Sequence, residues 1–290
     1  MTAITRTDST ATFSSGVQIK KVDYSDPSTL VSALQGQDAL IITMSVFAPP
    51  DTQTKLIDAA AAAKVPWILP NEFGGDPLDI EQGKDNFFSA GKAKYRQHIE
   101  ELGKSSWIGI ACGFWYEFSL AGGPYRYGFD FKEKSLTMFD EGETKICTST
   151  WPQCGRAVAA LLSLKLEPEG EGNVSLSTHF KNKPAYISSF TVSQRDMLES
   201  VLRVTGTEMK DWKITNVDVK ERYRSGVEEF QKGNMLGYAK LLYARSFFPE
   251  SSGDFSATKG LDNEVLGLPK EDFDEFTRLG IQMAEKGGLA

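Results

Sequence analysis

The sequence predicts an α/β protein built on a parallel sheet. Short β-branched runs alternate with longer helical stretches through the first hundred or so residues, the order that produces parallel strands with crossover helices. The run Ala39-Leu40-Ile41-Ile42-Thr43-Met44 is apolar almost throughout rather than alternating, as expected of a parallel strand covered on both faces. At 290 residues the chain is worth about two domains on a rough 150-residue guide, which leaves room for a second lobe.

Taken in order, strands are predicted at residues 2–5, 17–22, 39–44, 67–69 and 107–110. Between the second and third, Asp26-Pro27 pairs an N-cap acceptor with the proline favoured at the first helical position, opening a helix to Leu34 that ends near Gly36. Residues 51–64 form the next helix, carried by the alanine run 59–63. Beyond residue 115 the alternation gives way to aromatic, glycine-rich sequence (113–131), then a hairpin over 135–148 turning at Asp140-Glu141-Gly142. Helices follow at 151–164, at 193–204 with Ser193 as N-cap, and at 270–286. The domain boundary is placed accordingly, with a core over residues 1–115 and a substrate lobe over 116–290, and residues 151–165 packing back on the core.

Composition narrows the function classes. Apolar, aromatic and charged fractions of 40%, 11% and 24% are those of a globular chain and argue against disorder or coiled coil. With 32 Lys+Arg against 39 Asp+Glu the net charge is -7, and no basic run compensates locally, so a small-molecule partner is expected and nucleic acid is not. Three cysteines without a C-x-x-C pair disfavour a disulfide scaffold or zinc site and suit a reducing, cytoplasmic setting. No segment approaches 18 consecutive apolar residues, so no membrane partner is expected. The Ser/Thr-rich stretch 2–15 holds a single arginine and reads as a strand followed by a loop, not a transit peptide.

The common catalytic signatures G-x-S-x-G, H-E-x-x-H and the P-loop are absent, and the two histidines, His98 and His179, stand isolated. The stretch around Lys92 is more informative. At about 100° per residue Phe88, Tyr95, Ile99 and Leu102 form one stripe, and Lys92 lies roughly 50° from its centre, at the border of the buried face. Lys94 and Arg96, about 110° and 90° away, read as solvated. A sheltered lysine can serve as general acid or base, or lay its stem over the core with its head in water.

Leu69-Pro70-Asn71-Glu72-Phe73-Gly74 resembles the P-S-E-F-G segment of the isoflavone-reductase and NmrA-like family, an atypical branch of the short-chain dehydrogenase/reductases. Gly91-Lys92-Ala93-Lys94-Tyr95-Arg96 with Ile99-Glu100 resembles that family's K-x-x-x-R-x-x-I-E helix. Val22-Asp23-Tyr24-Ser25-Asp26 and Gly113-Phe114-Trp115-Tyr116 look like its segments after the third and sixth strands. The resemblance covers roughly residues 1–165. It implies a Rossmann-like core with a C-terminal substrate lobe and NADP(H) across the strand ends. By position it implies Arg6 for the 2′-phosphate, Thr43, Met44 and Ser45 for the loop passing the cofactor, Phe73 and Phe114 as walls of the nicotinamide, and Lys92 as general acid/base.

One departure matters. In the family a strand and a G-x-x-G-x-x-G turn precede the strand at residues 2–5, and this sequence contains no such turn. Gly74-Gly75 follows a later strand, and Gly122-Gly123-Pro124 lies in the second lobe. The expected architecture is therefore a Rossmann-like parallel sheet missing its first βα unit, with open strand edges on both sides of the gap and NADP(H) binding impaired by loss of the pyrophosphate cradle. Truncation of an intact enzyme is preferred over a naturally shortened protein. Two functions follow: an NADP-dependent reductase acting on a small apolar or aromatic substrate, with the aromatic cluster Phe114, Trp115, Tyr116, Phe118, Tyr125, Tyr127 and Phe129 lining its pocket or packing its lobe, or a non-catalytic dinucleotide sensor regulating a protein partner. Phe88 stands four residues before Lys92, so the Tyr-x-x-x-Lys pair of ordinary short-chain dehydrogenases is missing.

Overall fold

The computed structural model describes residues 1–45, 48–87, 91–170, 172–250 and 253–287. The chain begins with β1 (Thr2–Arg6), β2 (Gln18–Val22), α1 (Pro27–Leu34), β3 (Ala39–Ile41), α2 (Thr52–Ala62), β4 (Trp67–Leu69), β5 (Phe73–Gly74), α3 (Ile80–Asp85) and α4 (Ala93–Leu102). It continues with β6 (Ser106–Ala111), β7 (Phe114–Trp115), α5 (Tyr116–Leu120), β8 (Phe129–Asp130), β9 (Ser135–Phe139), β10 (Ile146–Ser149) and α6 (Trp151–Ser163). The remainder holds β11 (Lys183–Tyr186), β12 (Phe190–Val192), α7 (Gln194–Thr205), β13 (Lys213–Val217), α8 (Val219–Gln231), α9 (Met235–Ser246), α10 (Phe255–Lys259) and α11 (Phe273–Glu285). Two compact units result, one of Met1–Glu72, Gly91–Gly109 and Leu166–Lys183, the other of Phe73–Ala90, Ile110–Lys165 and Pro184–Ala290.

In the first unit the pairs β1–β2, β3–β4 and β4–β6 are all parallel. β1 runs beside β2 with Thr2 opposite Gln18, and β3 beside β4 with Ala39 opposite Trp67, while Trp67 and Ile68 pair with Ser106 and Trp107 of β6. Apolar side chains from sheet and helices close one core, including Leu30, Leu34, Ile42, Leu56, Ile57, Ile68 and Ile99. The Asp26 carboxylate caps α1 by accepting the Ser28 N–H at 3.0 Å, an interaction worth about 1 kcal/mol. Among the described residues β1 pairs only with β2 and β3 only with β4, so the strands form two separate sheets, each with an open edge.

The predicted strand at 39–44 is shorter and less covered than expected. Regular pairing stops at Ile41, because the Asn71 side chain takes over the backbone beyond: its Nδ2 donates to Met44 O at 3.1 Å and its Oδ1 accepts from Met44 N at 3.3 Å. Leu40 and Ile42 are buried, but Ile41 is 38% exposed and Thr43 faces solvent. Among the described residues this stretch thus has one covered face rather than two.

The second unit is largely aromatic. Tyr116, Tyr127 and Phe129 are fully buried in a core shared with Phe139, Phe190, Trp212, Tyr243 and Phe247. The expected hairpin over 135–148 does not form. The chain does turn at Asp140–Gly142, where Gly142 N–H donates to Phe139 O, but the flanking strands enter different sheets. β9 pairs with β8 and, in parallel, with β13. β10 pairs with β7 and β12. Every residue of β10 is buried, which a solvent-facing hairpin arm could not satisfy. α7 starts as expected, with Ser193 and Asp196 in a reciprocal capping box. The three cysteines, Cys112, Cys147 and Cys154, are all buried and unbridged.

Hydroxyls link the helices of this unit. Tyr116 Oη shares a hydrogen bond with Thr277 Oγ1, Thr277 Oγ1 in turn shares one with Ser200 Oγ, and Ser200 Oγ donates its proton to Asp274. Arg203 grips the same carboxylate through Nε and Nη2 at 2.9 and 2.8 Å. The Arg203 hydrogen bond, helped by Ser200, holds the Asp274 carboxyl at about 2 against an ordinary 3.8. Folding therefore favours the ionised acid, and its stabilisation is complete above the ordinary value and lost as pH falls through about 2. Asp274→Asn should destabilise the neutral protein by about 1 kcal/mol, the partial exposure of the pair limiting the effect. In urea titrations the difference from wild type should shrink between about pH 4 and about pH 2; a pH-independent difference would refute this.

Candidate functional site

β4 is followed by Pro70-Asn71-Glu72, and this corner brings together Glu72, Arg96 and Lys92. Glu72 is 3% exposed and its Oε1 accepts from Arg96 Nη1 at 2.5 Å. The other oxygen, Oε2, is buried with no hydrogen-bond partner among the described residues. Burial pushes the Glu72 carboxyl up, and the positive charges of Arg96 and then Lys92 pull it back only in part. Lys92 is half-buried, immediately ahead of α4 with its backbone in helical geometry, so its predicted position bordering the core holds. Phe88, the stripe's first member, lies outside the described residues.

Arg96 corrects the helical wheel. It is 9% exposed rather than solvated, paired to Glu72 and lying over the Trp107 ring at 5.3 Å. An angle about the helix axis registers apolar neighbours on the same helix but not a carboxylate arriving from another element. Lys94 is exposed, as expected.

Thr43, Met44 and Ser45 follow β3, with Thr43 and Ser45 exposed and Met44 half-buried. Asn71 holds the Met44 backbone from both sides, and Gln53, itself 4% exposed, accepts the Asn71 N–H at 3.3 Å. Loop 43–45 is thereby tied to the same corner that carries Glu72. Arg6 ends β1 with its side chain 71% exposed and Nε 3.5 Å from Asp8. His98 Nε2 lies 2.6 Å from Asp58 Oδ1, a helix-to-helix tie remote in chemistry from this corner. Among the described residues no cluster of His, Cys, Asp and Glu could hold a metal ion, and no helix is long and apolar enough to cross a membrane.

The two predicted aromatic walls, Phe73 and Phe114, belong to the second unit. Phe73 pairs with Ile110 through β5 and β6, and Gly74 O accepts from Cys112 N and Gly113 N at 2.8 and 2.9 Å. Gly113 is required: its φ is +66°, and a Cβ there would stand 2.0 Å from Cys147 O. Phe114, half-buried, stacks on Tyr243 with centroids 4.0 Å apart and is met edge-on by Tyr127 at 6.1 Å. Of the wider aromatic cluster, Tyr116, Tyr127 and Phe129 are packed core, whereas Trp115, Phe118 and Tyr125 remain partly exposed. The residues that sequence reasoning left without a role are Glu72, Arg96, Asn71 and Gln53, although Glu72, Asn71 and Arg96 all stand inside the two quoted motifs.

Removing one partner of the buried pair leaves the other charge uncompensated, so Glu72→Gln should cost about 3 kcal/mol in urea denaturation at neutral pH. The double variant Glu72→Leu with Arg96→Leu should recover much of that loss. A Glu72→Gln protein as stable as wild type would show that the pair does not hold this corner.

Residues 2–121 match the model of the NmrA-like family. The chain is 28% identical over 285 residues to the oxidoreductase aprR of Aspergillus flavus, covering 95% of this chain and 88% of that protein. Among solved structures it is similar to an isoflavone reductase, with a TM-score of 0.69 at 16% identity over 96% of this chain and 89% of the other. It also resembles the NADPH-dependent quinone oxidoreductase QOR2 of Escherichia coli, complexed with NADPH, with a TM-score of 0.61 at 17% identity over 90% and 83% of the two chains. Over residues 2–121 the chain is similar to the NmrA-like family, and it shares the Rossmann-like fold of the isoflavone reductases.

Proposed function

We propose that the chain is an NADP-dependent oxidoreductase acting on a small apolar or aromatic substrate, with Lys92 moving the proton. The observation that carries this reading is the half-sheltered Lys92 ammonium within electrostatic reach of the buried Glu72 carboxylate. The 28% identity to an oxidoreductase and the NADPH-bound structural neighbour support the same class. The donor set fits a 2′-phosphorylated dinucleotide at one end: the Arg6 guanidinium is largely exposed at the carboxyl end of a parallel strand, with Asp8 as its only ion-pair partner among the described residues.

When bound, NADPH supplies hydride. The chain's own contribution is positional and electrostatic. Arg96 neutralises Glu72 and anchors α4, the Asn71 bonds fix loop 43–45, and Lys92 stands ready with a proton for the substrate atom that gains electron density. Arg6 and the strand ends are the groups these residues bring to the dinucleotide.

Calorimetric titration tests the cofactor half without a known substrate. The wild-type chain should bind NADPH more tightly than NADH, and Arg6→Ala should abolish that preference by weakening NADPH roughly tenfold to a hundredfold. Undetectable NADPH binding by the wild type defeats the reading. In NADPH-consumption assays over small aromatic carbonyl compounds, Lys92→Met should lower turnover by about a hundredfold or more while NADPH affinity stays within a few-fold; unchanged turnover removes Lys92 from the mechanism.

A further inference from the structure

On the second unit, three large rings from two helices and a strand meet at one surface. Trp115 lies 5.9 Å from Phe118 and 6.2 Å from Trp151, and Phe118 lies 5.9 Å from Trp151. Trp151 is 39% exposed, and Trp115 and Phe118 are half-buried. Aromatic rings clustered at a surface are costly to leave facing water.

A cation is built onto the same cluster. The Arg126 guanidinium lies over the Phe118 ring with Cζ 3.7 Å from its centroid, and Nη1 donates to Phe118 O at 2.5 Å. No carboxylate is within ion-pairing distance of it among the described residues. The nearest acid in sequence on the shelf's own helix, Glu117, is 1% exposed, and its Oε1 is taken by the Trp151 N–H at 2.9 Å. The arginine's placement also depends on Gly122, where a Cβ would stand 2.0 Å from Arg126 Cδ. A guanidinium held over a ring, with no counter-charge among the described residues, keeps donors for a planar anion.

We propose that this shelf binds a planar aromatic anion, its ring against Trp115 and Trp151 and its carboxylate on Arg126. Neither NADPH nor turnover enters the inference, so it stands or falls apart from the reductase reading. The chain's net charge of -7 opposes any non-specific attraction of anions, which makes a preference for the acid diagnostic.

The test is calorimetric titration of the cofactor-free chain with 2-naphthoate and with the neutral isostere 2-naphthamide. Wild type should bind the acid about tenfold or more tighter than the amide. Arg126→Gln, and Gly122→Ala through displacement of the arginine, should erase that difference while amide binding persists. Trp151→Ala, an exposed change, should weaken both ligands by about tenfold, with thermal melts confirming that each variant is folded. Equal affinity of wild type for acid and amide, no binding of either, or undiminished acid binding by Trp151→Ala would overturn the proposal.

Discussion

The buried contact between Glu72 and Arg96 organises the first unit's chemistry. Taking a carboxylate and a guanidinium out of water costs several kcal/mol per ion, and their attraction recovers this only when the geometry is good. Here one carboxylate oxygen is well paired and the other has no hydrogen-bond partner among the described residues, so the contact is a poor source of net stability. What it supplies is position. It joins the turn after β4 to α4, and with that turn come Asn71, the Met44 backbone it holds, and Lys92 one residue ahead of the helix. Replacing the pair by apolar residues could keep the fold and still lose the placement of Lys92.

The second unit solves a different problem by different means. Its core is aromatic, and the hydroxyls that aromatic and small polar residues bring inside are satisfied among themselves: Tyr116 with Thr277, Tyr243 with Ser119, and Tyr127 with Thr148. Each buried oxygen left alone would cost about 1–3 kcal/mol. Met by one another, these groups restrict how the helices can slide, which purely apolar rings would allow. Gly113 adds a backbone constraint at the same place, letting Phe114 enter the sheet beside β10 where any side chain would strike Cys147 O.

Local chemistry was legible in the sequence and long-range chemistry was not. Asp26-Pro27 and Ser193 with Asp196 announce helix starts because the capping atoms lie within three residues of their partners. All five strands expected before residue 115 are present, since β-branched runs between helical stretches leave few alternatives. The pairing of β9 with β13 joins residues such as Leu136 and Ile214, and no turn signal at Asp140 could reveal that the strand's partner lies so far along the chain. The same holds at the candidate site. The half-burial of Lys92 follows from helical periodicity, whereas the burial of Arg96 depends on an acid 24 residues upstream. The exposure of Ile41 was equally hidden, because an apolar strand says that it could be covered on two faces and not that both covers are there.

The sequestered cysteines have a practical bearing on how this protein can be studied. Cys112, Cys147 and Cys154 are 0%, 1% and 8% exposed. Burial pushes the Cys147 thiol up, and contact with Cys112 together with burial does the same for Cys154. Maleimides and other electrophilic tags react with accessible thiolate, so the native fold is nearly silent to them. A single cysteine introduced on an exposed loop could carry a fluorophore or spin label without first stripping out the natural three, and any tag that did reach them would report local opening of the second unit rather than its surface.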